Sequence, residues 1–185
     1  ISYESVISNE TIFVLPTQDL AQHFKETLNS IAGNCEIVSS EDEAFAQVKS
    51  LVGDESIFCI EDELRTKLNE QSIANNQDES CGNCEFGIST CVALSARTGS
   101  ILVTAQQLQG RRTISASVNH IVIAYTNQLV ADLPDALSQI DVENPPSQIT
   151  NITGPSRTAD IEKTLVLGAH GPKKLYVYLV NNVSE

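Results

Sequence analysis

Cys35-Glu-Ile-Val38, Ser40-Glu-Asp-Glu-Ala-Phe-Ala-Gln-Val-Lys-Ser-Leu-Val-Gly53 and Ile57-Phe-Cys-Ile60 follow one another almost without interruption. The outer two are short apolar runs with β-branched and aromatic side chains, the chemistry of buried strands. Between them Ala44, Phe45, Val48, Leu51 and Val52 recur at helical spacing, which places all five on one face. Ser40 stands where an N-cap belongs, Glu43 completes a capping box three residues on, and Gly53 supplies the stop. Upstream, Thr11-Ile-Phe-Val-Leu15 reads as another strand. Pro16 and Thr17 then open a helix striped by Leu20, Phe24, Leu28 and Ile31 and ended at Gly33-Asn34. Residues 1–70 therefore read β-α-β-α-β, the signature of a parallel sheet with crossover helices, and the expected class is α/β.

Residues 69–80 turn polar, with Ile73 and Ala74 as the apolar anchors, and read as a linker. Residues 81–182 differ in style. Two β-rich runs between Phe86 and Thr104 flank Arg97-Thr-Gly-Ser100, a hairpin signal in which Gly99 is free to take positive φ. Ile121-Val-Ile-Ala-Tyr125 is a buried strand, Leu129 to Ile140 a short amphipathic helix broken by Asn144-Pro-Pro146, and Ile149 to Thr153 and Lys174 to Val180 are closing strands. The 185 residues suit one domain over 1–185 with one sizeable core.

Charge narrows the partners. The 24 acids against 11 bases give −13, which opposes nucleic acid and anionic membrane surfaces. No run approaches the roughly 20 apolar residues of a bilayer span, and no basic-then-apolar leader is visible. The expectation is a cytoplasmic protein with no nucleic-acid partner and no membrane insertion. Because the sequence opens on Ile1 and holds no Met, a natural start segment is expected to have been removed. The acids concentrate in residues 1–80, leaving the second half near neutrality and able to host an anion.

Thr153-Gly-Pro-Ser-Arg-Thr-Ala-Asp160 follows a strand and runs into a helical pattern from Ala159 to Leu167. A strand, a tight turn and a helix start present unpaired backbone N–H groups and a positive dipole end to an anion. There Ser156 can donate from its hydroxyl and Arg157 can grip a carboxylate or phosphate with two parallel bonds. The same residues also suit a plainer arrangement, with Ser156 or Thr158 as a cap and Arg157 paired to Asp160 or Glu162. In Gly168-Ala-His-Gly-Pro172 two glycines bracket His170, a titratable ring free to face a cleft. His120, entering an apolar strand, reads as a packed residue bonded to backbone, and His23 as exposed on a helix. Cys35 and Cys59 read as free core thiols. Cys81-Gly-Asn-Cys84 with Cys91 lacks a fourth metal ligand and a nearby histidine, so no metal is expected and these three read as ordinary thiols, with redox pairing of the C-x-x-C as the alternative. G-x-G-x-x-G, G-x-x-x-x-G-K-[ST], G-x-S-x-G and H-E-x-x-H are all missing from the sequence.

Ile152-Thr-Gly-Pro-Ser-Arg-Thr-Ala-Asp-Ile-Glu162, together with Leu165-Val-Leu-Gly-Ala-His-Gly-Pro172, resembles the LUD domain of lactate-utilization proteins of the LutC/YkgG type. The resemblance extends through Val118-Asn-His-Ile-Val122, Gly87-Ile-Ser89 and Thr98-Gly99, and covers 81–182 well and 1–70 loosely. It implies a three-layer α/β fold of the NagB/RpiA/CoA-transferase group. It implies a non-redox accessory or substrate-handling subunit of a bacterial L-lactate-oxidising system, with no cofactor in this chain and the iron–sulfur clusters in partner subunits. A small carboxylate or phosphate would then lie among Arg97, Thr98, Gly99, Gly154, Ser156, Arg157, Thr158, Asp160 and His170, of which His170 and Asp160 are the catalytic candidates. The pattern departs at Arg97, where many family members carry an acid before the Thr-Gly pair, so base or nucleophile chemistry at that position is not available here. The alternative is a stand-alone enzyme acting on a sugar phosphate or CoA thioester, as other proteins of the fold group do.

Overall fold

A computed structural model describes residues 19–77, 84–108, 113, 117–159, 165–167 and 171–182. In chain order the elements are α1 (Leu20–Ser30), β1 (Asn34–Val38), α2 (Glu41–Val52), β2 (Ile57–Phe58), α3 (Asp62–Glu70), β3 (Asn75–Asn76), β4 (Cys84–Ser89), β5 (Ala93–Ser95), β6 (Ser100–Thr104), α4 (Ala105–Leu108), β7 (Ser117–Tyr125), β8 (Leu129–Val130), α5 (Leu133–Leu137), β9 (Ile149–Ile152), β10 (Arg157–Ala159), β11 (Leu165–Leu167) and β12 (Lys174–Val180). Six strands in the order β1-β12-β7-β4-β2-β3 form a parallel sheet. A second sheet, β8-β5-β6-β9, is built on the β5–β6 hairpin.

The apolar patterning sorts these elements into three layers. On β7, Ile121 and Ile123 face one way and meet Ala44, Phe45, Val48 and Leu64 of α2 and α3. Val122 and Ala124 face the other way and meet Phe24 and Leu28 of α1 with Leu94, Ile101 and Val103 of the second sheet. Alternate residues thus serve opposite cores, and a strand covered on both faces becomes the continuous apolar run seen in the sequence. Phe24, Leu28 and Phe45 are buried, each stabilising by about 1.5–3 kcal/mol relative to exposure.

The α/β class, the parallel sheet, α2 and the β5–β6 hairpin agree with the sequence reading. Ser40 caps α2 through Glu43 N–H, although the Glu43 carboxylate turns to the N–H and hydroxyl of Ser39 instead of closing the box on Ser40. Three readings need correction. In place of the helix expected over Ala159–Leu167, Arg157–Ala159 and Leu165–Leu167 pair as antiparallel strands, β10 against β11, with Thr158 opposite Val166. The helix expected over Leu129–Ile140 is shorter: Leu129–Val130 joins β5 as a parallel strand and the helix is α5. Within the linker expected over 69–80, Asn69 and Glu70 close α3, an element the sequence reading passed over, and β3 adds an edge strand beside β2. The strand Thr11–Leu15 and its helix start at Pro16 lie outside the described residues.

Candidate functional site

From β2 the chain turns into α3 on one face of the parallel sheet, whereas from β4 it turns into β5 on the opposite face. These two strands are neighbours, and the carboxyl ends of adjacent strands whose connections leave on opposite faces are where open α/β sheets generally bind ligands. Glu61 stands there. It occupies the N-cap position of α3 without capping it. Its carboxylate instead crosses to β4, accepting from the Thr90 N–H at 2.7 Å and from the Thr90 hydroxyl. Burial raises the Glu61 pKa, with the two Thr90 bonds acting against that rise.

Next to it the Cys91 thiol lies 3.7 Å from Gln128 Oε1, and Gln128 Nε2 donates to the Cys91 carbonyl at 2.7 Å. Burial lifts the Cys91 pKa far above the ordinary thiol value, which suppresses the thiolate and makes it an inert core residue. Further along the same edge the Tyr125 hydroxyl and the Lys67 ammonium both donate to the Glu41 carboxylate. Lys67 first, then Tyr125, holds Glu41 below the usual carboxylate range. Burial, followed by Glu41, pushes Tyr125 up. The edge therefore offers hydrogen-bonding carboxylates, a phenol and a hydroxyl, with the Lys67 charge already paired.

Behind this edge, between the parallel sheet and the second sheet, His120 of β7 is fully buried and its Nε2 lies 2.8 Å from Ser89 Oγ. The backbone partner expected for this ring is replaced by a side-chain hydroxyl. Its Nδ1 has no hydrogen-bond partner among the described residues.

The residues singled out in the sequence lie on the second sheet and beyond it. Pairing of β6 with β9 sets the 97–100 turn beside the 153–156 turn, and Ser100 Oγ and Thr153 Oγ1 meet at 2.8 Å. Thr98 Oγ1 donates to Ser95 Oγ at 2.8 Å, and Ser156 N–H donates to the Pro172 carbonyl at 2.9 Å. Arg97 forms an ion pair with Asp132 at 2.7 Å and depresses the Asp132 pKa. Gly99 and Gly154 both take positive φ, and a Cβ on them would lie 2.8 Å from Leu28 N and 2.8 Å from Ile31 O respectively. Both glycines thus accommodate the carboxyl end of α1, the negative pole of a helix. Arg157 and Thr158 belong to β10, a strand rather than a helix start, so the dipole argument for an anion at these residues falls away. Their side chains, and Asp160 and His170, lie outside the described residues. Cys84 is disulfide-bonded rather than an ordinary thiol, while Cys35, Cys59 and Cys91 are free and buried. Among the described residues no three donors cluster as a metal site.

The sequence model of the LUD domain matches residues 61–180. The chain belongs to the LUD domain family. It is 30% identical over 168 residues to lactate utilization protein C of Macrococcus caseolyticus, covering 86% of this chain and 69% of that protein. Lactate utilization protein C of Oceanobacillus iheyensis is 25% identical over 169 residues, covering 89% and 71%. A solved structure of a DUF162 family protein from Deinococcus radiodurans superposes with a TM-score of 0.61 at 18% identity, over 87% of this chain and 96% of that one, and shows the same fold.

Within this LUD domain the matched region begins at Glu61, so it takes in Glu61, Thr90 and β4 as well as the second sheet. The sequence reading passed over Glu61, Thr90, Tyr125, Glu41 and Lys67, which lie apart in the chain and meet through the sheet. A usable signal existed: Glu61 directly follows the apolar run Ile57–Ile60, and an acid at the carboxyl end of a buried parallel strand stands at the edge where such sheets bind ligands.

Proposed function

We propose that this LUD domain is a LutC-like, non-redox component of a bacterial system that oxidises L-lactate to pyruvate. It handles the substrate in the cytoplasm, and iron–sulfur partner subunits carry the electrons. The observation that carries this reading is the alignment, over 86% and 89% of the chain, with two proteins named lactate utilization protein C. The small carboxylate or phosphate ligand is assigned to Arg97, Thr98, Gly99, Gly154, Ser156, Arg157, Thr158, Asp160 and His170, supported by the adjoining 97–100 and 153–156 turns. Arg157 supplies the two-pronged contact, since Arg97 is engaged by Asp132. In support, no helix among the described residues is long and apolar enough to cross a membrane.

A host lacking its own homologue tests the reading: this chain is expected to restore growth on L-lactate and to co-purify with proteins showing iron–sulfur absorption. Failure of both outcomes rejects it. Calorimetric titration tests the ligand. Arg157→Lys keeps the charge but loses the fork, so it is expected to weaken lactate or phosphate binding about tenfold with the melting temperature unchanged. Unchanged affinity in that variant, or no anion binding by the parent, removes the anion site.

A further inference from the structure

On the second sheet, Ile101, Val103 and Ile152 turn toward α1 and the parallel sheet, whereas Leu102 turns outward and packs with Ala136 of α5, beside Leu133 and Ile140. Helix α5 has five residues. At about 7 Å it is half as long as the roughly 14 Å that four strands span, so it leaves part of this outer face uncovered. Next to its end lies a cleft of about 150 Å³, lined by Val92, Ile140 and Pro146 together with the polar Thr104, Asp141 and Asn144. Thr104 stands opposite Ile149 in the β6–β9 ladder, and directly opposed side chains share a face of the sheet, so Ile149 borders the same surface. Among the described residues the large apolar side chains left exposed are Leu137 at 44%, Val142 at 86% and Ile149 at 45%. All three fall within residues 137–149, around the cleft, whereas apolar side chains exposed without a role scatter singly. Val142 sits on a fixed turn, because the Asp141 carboxylate accepts from the Glu143 N–H at 2.8 Å and from the Asn144 N–H and Nδ2.

We propose that the outer face formed by residues 137–149 is a docking surface for a partner polypeptide that presents an apolar side chain flanked by Lys or Arg. The apolar side chain enters the cleft among Val92, Ile140 and Pro146, and the flanking cations meet Asp141 and Glu143. Charge selects this occupant. Asp135, Asp141 and Glu143 are exposed and have no ion-pair partner among the described residues, and the sequence holds no Lys or Arg between Arg112 and Arg157. A second copy seated here about a two-fold axis would set the same acids against themselves. An anionic lipid surface is repelled for the same reason, in a chain of net charge −13. The inference stands on this surface alone and does not depend on the lactate reading.

The probe is a synthetic peptide with both ends blocked, Gly-Lys-Leu-Lys-Gly, titrated into the full chain labelled with nitrogen-15. Gly-Glu-Leu-Glu-Gly and Gly-Lys-Ser-Lys-Gly are the controls, the first reversing the charge and the second removing the apolar side chain. The lysine–leucine peptide is expected to shift the backbone amides of residues 137–149 saturably, less so as salt is raised, and the controls to leave them in place. Val142→Ser alters an exposed side chain, so it is expected to keep the melting temperature while weakening the peptide about fivefold. Glu143→Lys is expected to weaken it about as much. Absence of any shift, equal shifts with either control, shifts confined to other parts of the chain, or unchanged affinity in both variants overturns the proposal. Sedimentation of the parent covers the remaining occupant: a dimer that Val142→Ser abolishes gives this face to a second copy and overturns the proposal as well.

Discussion

Buried on β7 with Ser89 as its neighbour, His120 stays neutral in the native state down to about pH 4, against an ordinary value of 6.5. In the unfolded chain the same ring takes up a proton near 6.5. Between those two values the unfolded state binds more protons, so stability falls as pH falls. The contribution is present in full above pH 6.5 and is lost on the way down to about pH 4, amounting to about 3 kcal/mol. Melting temperature followed against pH in the ligand-free protein should show that decline, and His120→Gln should flatten it; a variant declining as steeply as the parent contradicts the assignment. Glu61 works in the opposite sense. Its raised pKa favours folding with the carboxyl protonated, and that contribution is lost as pH rises through the native value. What the sequence offered for these two residues was unequal: a histidine entering an apolar strand announces burial, but neither Ser89 nor Thr90 is close to its partner in the chain.

The elements divide by how local their causes are. Helix α2 was readable throughout, since its cap, its apolar stripe and its stop at Gly53 all fall within one stretch of chain. The β5–β6 hairpin was readable from Thr98-Gly99, with Gly99 in the left-handed region at φ 60°. The purpose of that glycine was not readable, because the backbone it meets belongs to α1. Gly154 at φ 77° meets the same helix end from the neighbouring turn. A Cβ at either site would strain the backbone dihedral and press on main-chain atoms that cannot rotate away. Gly99→Ala and Gly154→Ala are therefore expected to cost more than about 2 kcal/mol each in urea unfolding; losses below half of that would mean that α1 is not seated on these turns. The 157–167 segment shows the converse. Its β-branched and leucine content fits a short helix or a strand equally well, and pairing of Arg157–Ala159 with Leu165–Leu167 makes these residues antiparallel strands.

Across the molecule the two cores on either side of the parallel sheet hold the thiols. Cys59 lies among the side chains under α2 and α3, while Cys35 and Cys91 lie among those under α1 and the second sheet. Burial pushes Cys35 and Cys59 up to about 12 and Cys91 higher still. At neutral pH the native protein should therefore react with an aromatic disulfide reagent at these three positions only as fast as it opens, and all three should react at once after denaturation without reductant. Rapid reaction at any of them in the native state would contradict the layered packing. The class, the parallel sheet, α2, the hairpin and the family were determined by the sequence alone, because each depends on periodicity, caps or ordered motifs within a few tens of residues. The tertiary structure alone decided that the chain from β2 and the chain from β4 leave on opposite faces, with Glu61 bonded to Thr90 at the point where they separate. It also decided that Ser89 lies against His120 and that two glycines seat one helix. Those relations join residues far apart in the chain, and only the order of strands in the sheet determines which of them become neighbours.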